Sequence, residues 1–441
     1  MSGSHPAHAD PRPDLGTLGA LSIGIGGIVG GGIFATLGLA GSQARGATDL
    51  SFLVGGGVAL LTAYSYVRLS LTYPGEGGTV TYLNRAFGTG LFAGGLNTLL
   101  VLSYVIIMAL YAGAFADYAN GFLPASVHAT VRSILAPAII VILAVLNFLG
   151  PGLVEKSEGL FNVGKLAILL LFVVAGLASP GLSLERLAPS HWVSAKEIIG
   201  SGMLVFLSYE GFELIANASD RIKSPARTLP RAYYGSVLAA MTLYVLIAVV
   251  AIGHLSFEAL TVAKERSVAV AAQTFLGAFG AALMSFGAIL ATTSAINADF
   301  YGASKLPAIL AADKEMPKRY AREVWGRHPA ALLLIATQAV LILRYADLHA
   351  ISAAASAGFL LVFAMVNAAN AKLSAKTGSR RWVSIAAAAA CLGALGVMIL
   401  QILDHPEHSR SLWFIAGLVV YPFLYELIYR RIAARTASAR P

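Results

Sequence analysis

Ile23-Gly24-Ile25-Gly26-Gly27-Ile28-Val29-Gly30-Gly31-Gly32-Ile33-Phe34 lies inside the first long apolar run of the chain and holds six glycines in twelve residues. Spaced small residues would be enough to let two helices pack closely in a bilayer. A contiguous Gly30-Gly31-Gly32 does something else, because each glycine weakens a helix by about 1 kcal/mol relative to alanine. The stretch therefore reads as a span that unwinds in its middle. An unwound turn frees amides at the start of the following half-helix, where they and the helix dipole suit a carboxylate. The carbonyls upstream, from Gly24 to Gly27, suit a cation.

A second apolar run is interrupted in a matching way. Phe206-Leu207-Ser208-Tyr209-Glu210-Gly211-Phe212-Glu213 puts two carboxylates and a glycine inside an otherwise apolar segment. Ionisable groups in a spanning helix are costly and face the protein interior or a cavity. Unwound, this segment would offer carbonyls to a substrate ammonium, with Phe206 and Tyr209 as aromatic covers. Ser208 and Glu210 fall in the same turn. Spacing alone does not separate the roles of Glu210 and Glu213, and Glu213 also suits a structural partner in the next half-helix. The breaks lie near 30 and 210. Paired interrupted spans in corresponding positions point to an inverted-repeat transporter with its site between them.

The rest of the chain agrees. Of 441 residues, 57% are hydrophobic and only 12% charged, against about 25% charged in a soluble domain. A soluble enzyme is excluded, and the continuous runs argue against a β-barrel. Apolar runs fall at 17–40, 50–73, 90–115, 131–149, 159–178, 197–219, 232–254, 276–304, 329–343, 350–370, 382–403 and 411–430. Most are close to the ~20 residues that a spanning helix needs. The expectation is an all-α integral membrane protein of 12 transmembrane helices. It divides into a disordered cytoplasmic tail (1–16), a five-helix repeat (17–178), an inverted five-helix repeat (179–370), helices 11 and 12 (371–432) and a cytoplasmic tail (433–441).

Charge gives the orientation. With the N-terminus inside, twenty of the 31 Lys and Arg fall on the cytoplasmic side, eight on the other, and Arg68, Lys165 and Lys305 within or at the ends of spans. That asymmetry follows the positive-inside rule and accounts for the net charge of +9 without nucleic acid. A multi-pass protein of the cytoplasmic membrane, both termini cytoplasmic, is expected. The single cysteine, Cys391, excludes an internal disulfide.

Lys165 is the sharpest single residue. It sits in Phe161-Asn162-Val163-Gly164-Lys165-Leu166-Ala167-Ile168, one to two turns inside the fifth run. There it either snorkels to the interface or serves a function. Desolvation favours the uncharged amine, so a lysine in apolar surroundings can load and release a proton. Thr292-Thr293-Ser294 place three hydroxyls on the eighth run. Such hydroxyls commonly bond their own helix and gain importance if they face Lys165 or the first span. Asp299, Lys305, Asp117 and Glu426 sit near span ends and read as structural. No nucleophile–base pairing, nucleotide fingerprint or His pair within a span is present, so no enzyme activity, cofactor or metal is expected.

Together these phrases resemble the amino acid–polyamine–organocation superfamily, and within it the ApcT-type proton-coupled amino-acid transporters. The resemblance covers the chain after residue 16. It is carried by Gly30-Gly31-Gly32-Ile33-Phe34 and by Phe206 through Phe212. Further along, it rests on Asn217-Ala218-Ser219-Asp220, Ser224-Pro225 and Leu229-Pro230-Arg231-Ala232. Ser294-Ala295-Ile296-Asn297-Ala298 and Glu426-Leu427-Ile428-Tyr429-Arg430 complete it. The resemblance implies the leucine-transporter fold, a 5+5 inverted repeat with broken helices 1 and 6. It implies that backbone at Gly30, Gly31 and Gly32 binds a substrate carboxylate and backbone from Phe206 to Glu210 its ammonium, with Phe206 covering the site. It implies that Lys165 carries the coupling proton, beside carbonyls near Gly26 and Gly27 and the hydroxyls of Thr293 and Ser294. The partners are then an amino acid, protons and the lipid bilayer. Two departures stand out: the first break is unusually rich in glycine, and Glu210 occupies a variable place. Amino-acid exchange, or a polyamine or inorganic cation as solute, remain open alternatives; a non-transporting sensor would need a signalling domain for which neither tail has the length.

Overall fold

The computed structural model describes residues 14–438 except 76, 151, 314 and 326, and omits the side chains of 152–158, 433–434 and 436–438. Residues 1–13 of the tail expected at 1–16 and residues 439–441 lie outside the described residues, as do Arg12, Lys314, Arg440 and the Lys156 side chain; Asp14 and Leu15 are ordered against Arg221, contrary to the disorder expected there. Within them the secondary structure is helical and no strand forms; only isolated bridges occur.

The helices follow the apolar runs closely. α1 (Thr17–Ile28) and α2 (Gly32–Ala44) are the halves of the first run, bent by 47° across the glycines. α3 (Thr48–Thr72), the short α4 (Gly78–Phe87), α5 (Leu91–Ala119), α6 (His128–Leu149) and α7 (Gly152–Ala178) follow. α8 (Ala195–Leu204) then meets the second break. Next come α9 (Pro225–His254), α10 (Phe257–Ala263), α11 (Ser267–Ala312), α12 (Pro329–Tyr345) and α13 (Leu348–Lys372). The single-turn α14 (Ser374–Thr377), α15 (Arg381–Asp404) and α16 (Ser409–Ser438) end the chain. Gly277, at φ +64, lies in the left-handed region that favours glycine and sets a short first arm of α11 apart from its long spanning part.

Among the described residues nine helices are long and apolar enough to cross a membrane, and eleven spans result if each bent pair is one. The run at 329–343 forms the shorter apolar helix α12. This is a multi-pass membrane protein. α5 and α13 are the most enclosed spans. Leu170, Leu171 and Val174 on α7 and Val141, Ile142 and Val145 on α6 are exposed, as expected of faces turned to lipid.

The second break departs from the simple unwound turn expected at 206–211. After Val205 the chain runs as a 3₁₀ helix from Phe206 to Arg221, bent by 46° from α8. Runs of 3₁₀ beyond three or four residues are uncommon, and residues three apart eclipse. The sequence suits that repeat. Phe206, Tyr209, Phe212 and Ile215 form one fully buried apolar line, and Glu210 and Glu213 share the next edge.

The far ends of the two broken spans are joined. The amides of Asp14 and Leu15 donate to the Arg221 carbonyl at 3.0 Å, and Lys223 N donates to Leu15 O at 2.8 Å. Arg221 Nη2 donates to Asp14 Oδ2 at 2.7 Å and Nε to Oδ1 at 3.2 Å. The Arg221 guanidinium holds the Asp14 carboxyl below its usual range. A carboxyl depressed in this way keeps its pair above the ordinary Asp value and loses it as pH falls through the lower folded value. Amide exchange at Leu15 and Lys223, corrected for intrinsic rates, should therefore stay unchanged from about pH 8 down to about pH 4 and rise below that. In Arg221→Ala it should be raised at all of these pH values.

Candidate functional site

The two breaks meet at the centre of the bundle through their glycines. A Cβ on Gly27 would lie 2.7 Å from the Gly211 carbonyl oxygen, and one on Gly211 would overlap the Gly27 carbonyl carbon. One on Gly32 would lie 2.7 Å from Ser208 Oγ. Side chains close in from other helices. A Cβ on Gly31 would stand 2.6 Å from Tyr111 of α5 and 3.0 Å from Thr292 of α11, and one on Gly30 would stand 3.0 Å from Ala295. The glycine run is thus what lets α1, α2 and the 3₁₀ helix share one small volume.

Backbone groups freed by the breaks find side-chain partners. Tyr244 Oη of α9 donates to the carbonyls of Ile28 at 2.6 Å and Ser208 at 3.2 Å, bridging both breaks. Ser208 Oγ lies 3.1 Å from Thr36 Oγ1, which donates to Gly32 O. Ser356 Oγ of α13 accepts from Leu207 N and donates to Leu204 O. The first amides of α2, starting at Gly32, have no acceptor within the helix, and they open beside Ser208. Phe206 packs edge-on against Phe363 of α13 at 6.0 Å. Tyr209 donates to Phe52 O of α3 at 2.8 Å. Both rings are fully buried.

The two glutamates of the 3₁₀ edge differ sharply. Glu213 accepts from Tyr66 Oη at 2.8 Å, Thr79 Oγ1 at 2.9 Å and also Tyr104 Oη. Three hydroxyls from α3, α4 and α5 hold it as a structural hub. Glu210 is equally buried, and its Oε2 has no hydrogen-bond partner among the described residues.

Lys165 does not snorkel. It is 0% exposed, and its ammonium donates to Gly26 O at 2.8 Å, joining α7 to α1. Asn162, one turn earlier, faces the same place: a Cβ on Gly26 would lie 2.5 Å from its Nδ2. Thr293 and Ser294 lie on α11, the helix packed along α7. Thr292 bonds back to Ala288 O at 2.7 Å within its own helix. Asn162 and Tyr244 were missed in the sequence. Their signals are an amide three residues from Lys165 and a hydroxyl inside an apolar run.

A family model described as "Amino acid permease" matches residues 15–424. The chain belongs to the amino acid permease family. Relatives of this permease include an uncharacterized protein, MJ0609, of Methanocaldococcus jannaschii, 32% identical over 95% of this chain and 96% of the relative. The inner membrane transport protein YbaT of Escherichia coli is 31% identical over the same shares. A methylthioribose transporter of Bacillus subtilis is 27% identical over 68% of the permease and 67% of its own length. The matched stretch of the permease contains both breaks, Lys165 and the Glu213 hub, so the central geometry lies within the family's own region. The permease is a transporter of its family and not an enzyme.

Proposed function

We propose that this permease is a proton-coupled amino-acid transporter of the cytoplasmic membrane with twelve spans, both termini cytoplasmic, and a leucine-transporter fold. In that fold 17–178 and 179–370 are the inverted repeats. The observation that carries the reading is the fully buried Lys165 ammonium bonded to Gly26 O beside the first break. A buried charge persists only with partners, and one partner here is a carbonyl in the last turn of α1.

The substrate carboxylate sits at the amides of Gly31 and Gly32, where the α2 dipole favours a negative group, with Gly30 shaping the turn. Its ammonium meets the carbonyls between Phe206 and Glu210, near Ser208. Phe206 and Tyr209 bound that space with their rings. Protonated Lys165 ties α7 to α1; a charge-assisted bond is roughly twice as strong as a neutral one, so loss of the proton loosens the tie and frees α1 to swing inward. Gly27, Thr293 and Ser294 complete the lysine's surroundings. Coupling needs affinities that differ between outward and inward states, since equal affinity shifts nothing.

Purified protein in liposomes, given a panel of radiolabelled amino acids under an imposed inward proton gradient, tests this reading. At least one amino acid should accumulate above the level reached without the gradient. Accumulation of none, with active reference carriers in parallel, would overturn it.

A further inference from the structure

Two buried carboxylates toward the middle of the bundle are used by neither the lysine tie nor the Glu213 hub. Glu210 and Asp299 are each 3% exposed, and Glu210 Oε2 and Asp299 Oδ2 are buried without a hydrogen-bond partner among the described residues. Burying a polar group without a partner is unfavourable, and an unpaired charge far more so. These oxygens therefore call for a positive or hydrogen-donating group that arrives from elsewhere.

Their positions say where it would arrive. Asp299 is one turn along α11 from Ala295, and residues four apart share a helix face. Ala295 is the residue against Gly30. Ser208, which abuts Gly32, and Gly211, which abuts Gly27, form one edge of the 3₁₀ helix, and Glu210 stands on the adjacent edge with Glu213. The two carboxyls thus flank the first break from α11 and from the 3₁₀ helix. Asp299 acts electrostatically on Glu210, both act on Tyr111, whose ring closes over Gly31, and the hub carboxylate Glu213 acts on both acids.

We propose that Glu210 and Asp299 form a cation-binding pair beside the first break that takes a second, side-chain ammonium of the transported amino acid. An ammonium presents three donors, enough to satisfy both orphaned oxygens at once. The pair makes the permease selective for diamino acids over apolar ones of equal length. This rests on the amino-acid reading above, because the α-carboxylate and α-ammonium still anchor at the breaks.

Equilibrium binding of radiolabelled lysine, norleucine and alanine to the purified protein tests it, with Glu210→Gln and Asp299→Asn beside wild type. Wild type should bind lysine at least about tenfold more tightly than norleucine, which leaves the buried carboxyl oxygens unpaired. Either variant should erase that preference, and Asp299→Asn, which lies outside the site for the α-amino and α-carboxyl groups, should keep alanine within about threefold, about 0.7 kcal/mol in binding free energy. Equal wild-type affinity for lysine and norleucine would overturn the pair while leaving amino-acid transport standing. So would variants that keep the full lysine preference. Wild type that binds none of the three would overturn the transport reading and the pair together. If a variant loses alanine as well, the wild-type lysine–norleucine comparison decides alone.

Discussion

Lys165→Ala should abolish gradient-driven accumulation while leaving exchange of substrate across the membrane. The ammonium is fully buried and bonds Gly26 O across two spans. Removing it takes away the proposed proton carrier and leaves a buried carbonyl that loses about 1–3 kcal/mol of satisfaction. The expected result is a fall of at least about tenfold in uptake driven by an imposed proton gradient, corresponding to about 1.4 kcal/mol or more. Counterflow between equal pH values should fall by much less, because the site at the breaks keeps its backbone donors and acceptors. Lys165→Arg is a sharper probe. Arginine keeps a charge that proteins do not remove, so it should lock the tie and slow net uptake and counterflow alike. Full gradient-driven uptake by Lys165→Ala would show that the proton travels elsewhere.

Gly211→Val should be the most damaging single change at the breaks. A Cβ there overlaps the Gly27 carbonyl carbon, and the neighbouring atoms are backbone, so no flexible side chain can give way. Overpacking of this kind costs about 1–3 kcal/mol even where side chains can move. Here the added carbons would separate the two broken spans, on whose closeness the proposed substrate site depends. Substrate uptake should fall at least about tenfold, and the thermal midpoint in detergent should fall with it. Gly57→Ala is the matched control: nothing lies within 4 Å of its added carbon, and uptake should be unchanged. Normal uptake by Gly211→Val would contradict the close approach of the two breaks.

Much of this architecture is legible in the residues. Hydropathy sets the helix limits because a bilayer demands continuous apolar runs, and observed helices such as Thr48–Thr72 and Arg381–Asp404 fall within a few residues of them. Both breaks are legible because glycine and carboxylate are so unfavourable inside a spanning helix. Lys165 is legible for the same reason. What the sequence hides is tertiary. Nothing local distinguishes Glu210 from Glu213; the difference is made by Tyr66, Thr79 and Tyr104, which come from three other helices. Tyr244 looks like any tyrosine in an apolar run until the Ile28 and Ser208 carbonyls are found beside it. The length of the 3₁₀ helix is equally hidden, since its i, i+3 apolar line overlaps the pattern of an ordinary helix. Asp299 reads as a span-end residue by position, yet it is buried, one turn along α11 from Ala295, the residue against Gly30.

Substrate and proton should move together through the protein. The most direct measurement of this is the lumenal pH of liposomes containing the protein and a trapped pH-sensitive dye, recorded as a transported amino acid is added outside with no gradient imposed. The lumen should acidify on addition, in proportion to radiolabel taken up, and should not do so in Lys165→Ala liposomes. Uptake of radiolabel by wild type with no change in lumenal pH would contradict proton coupling, the amino acid then crossing without a proton.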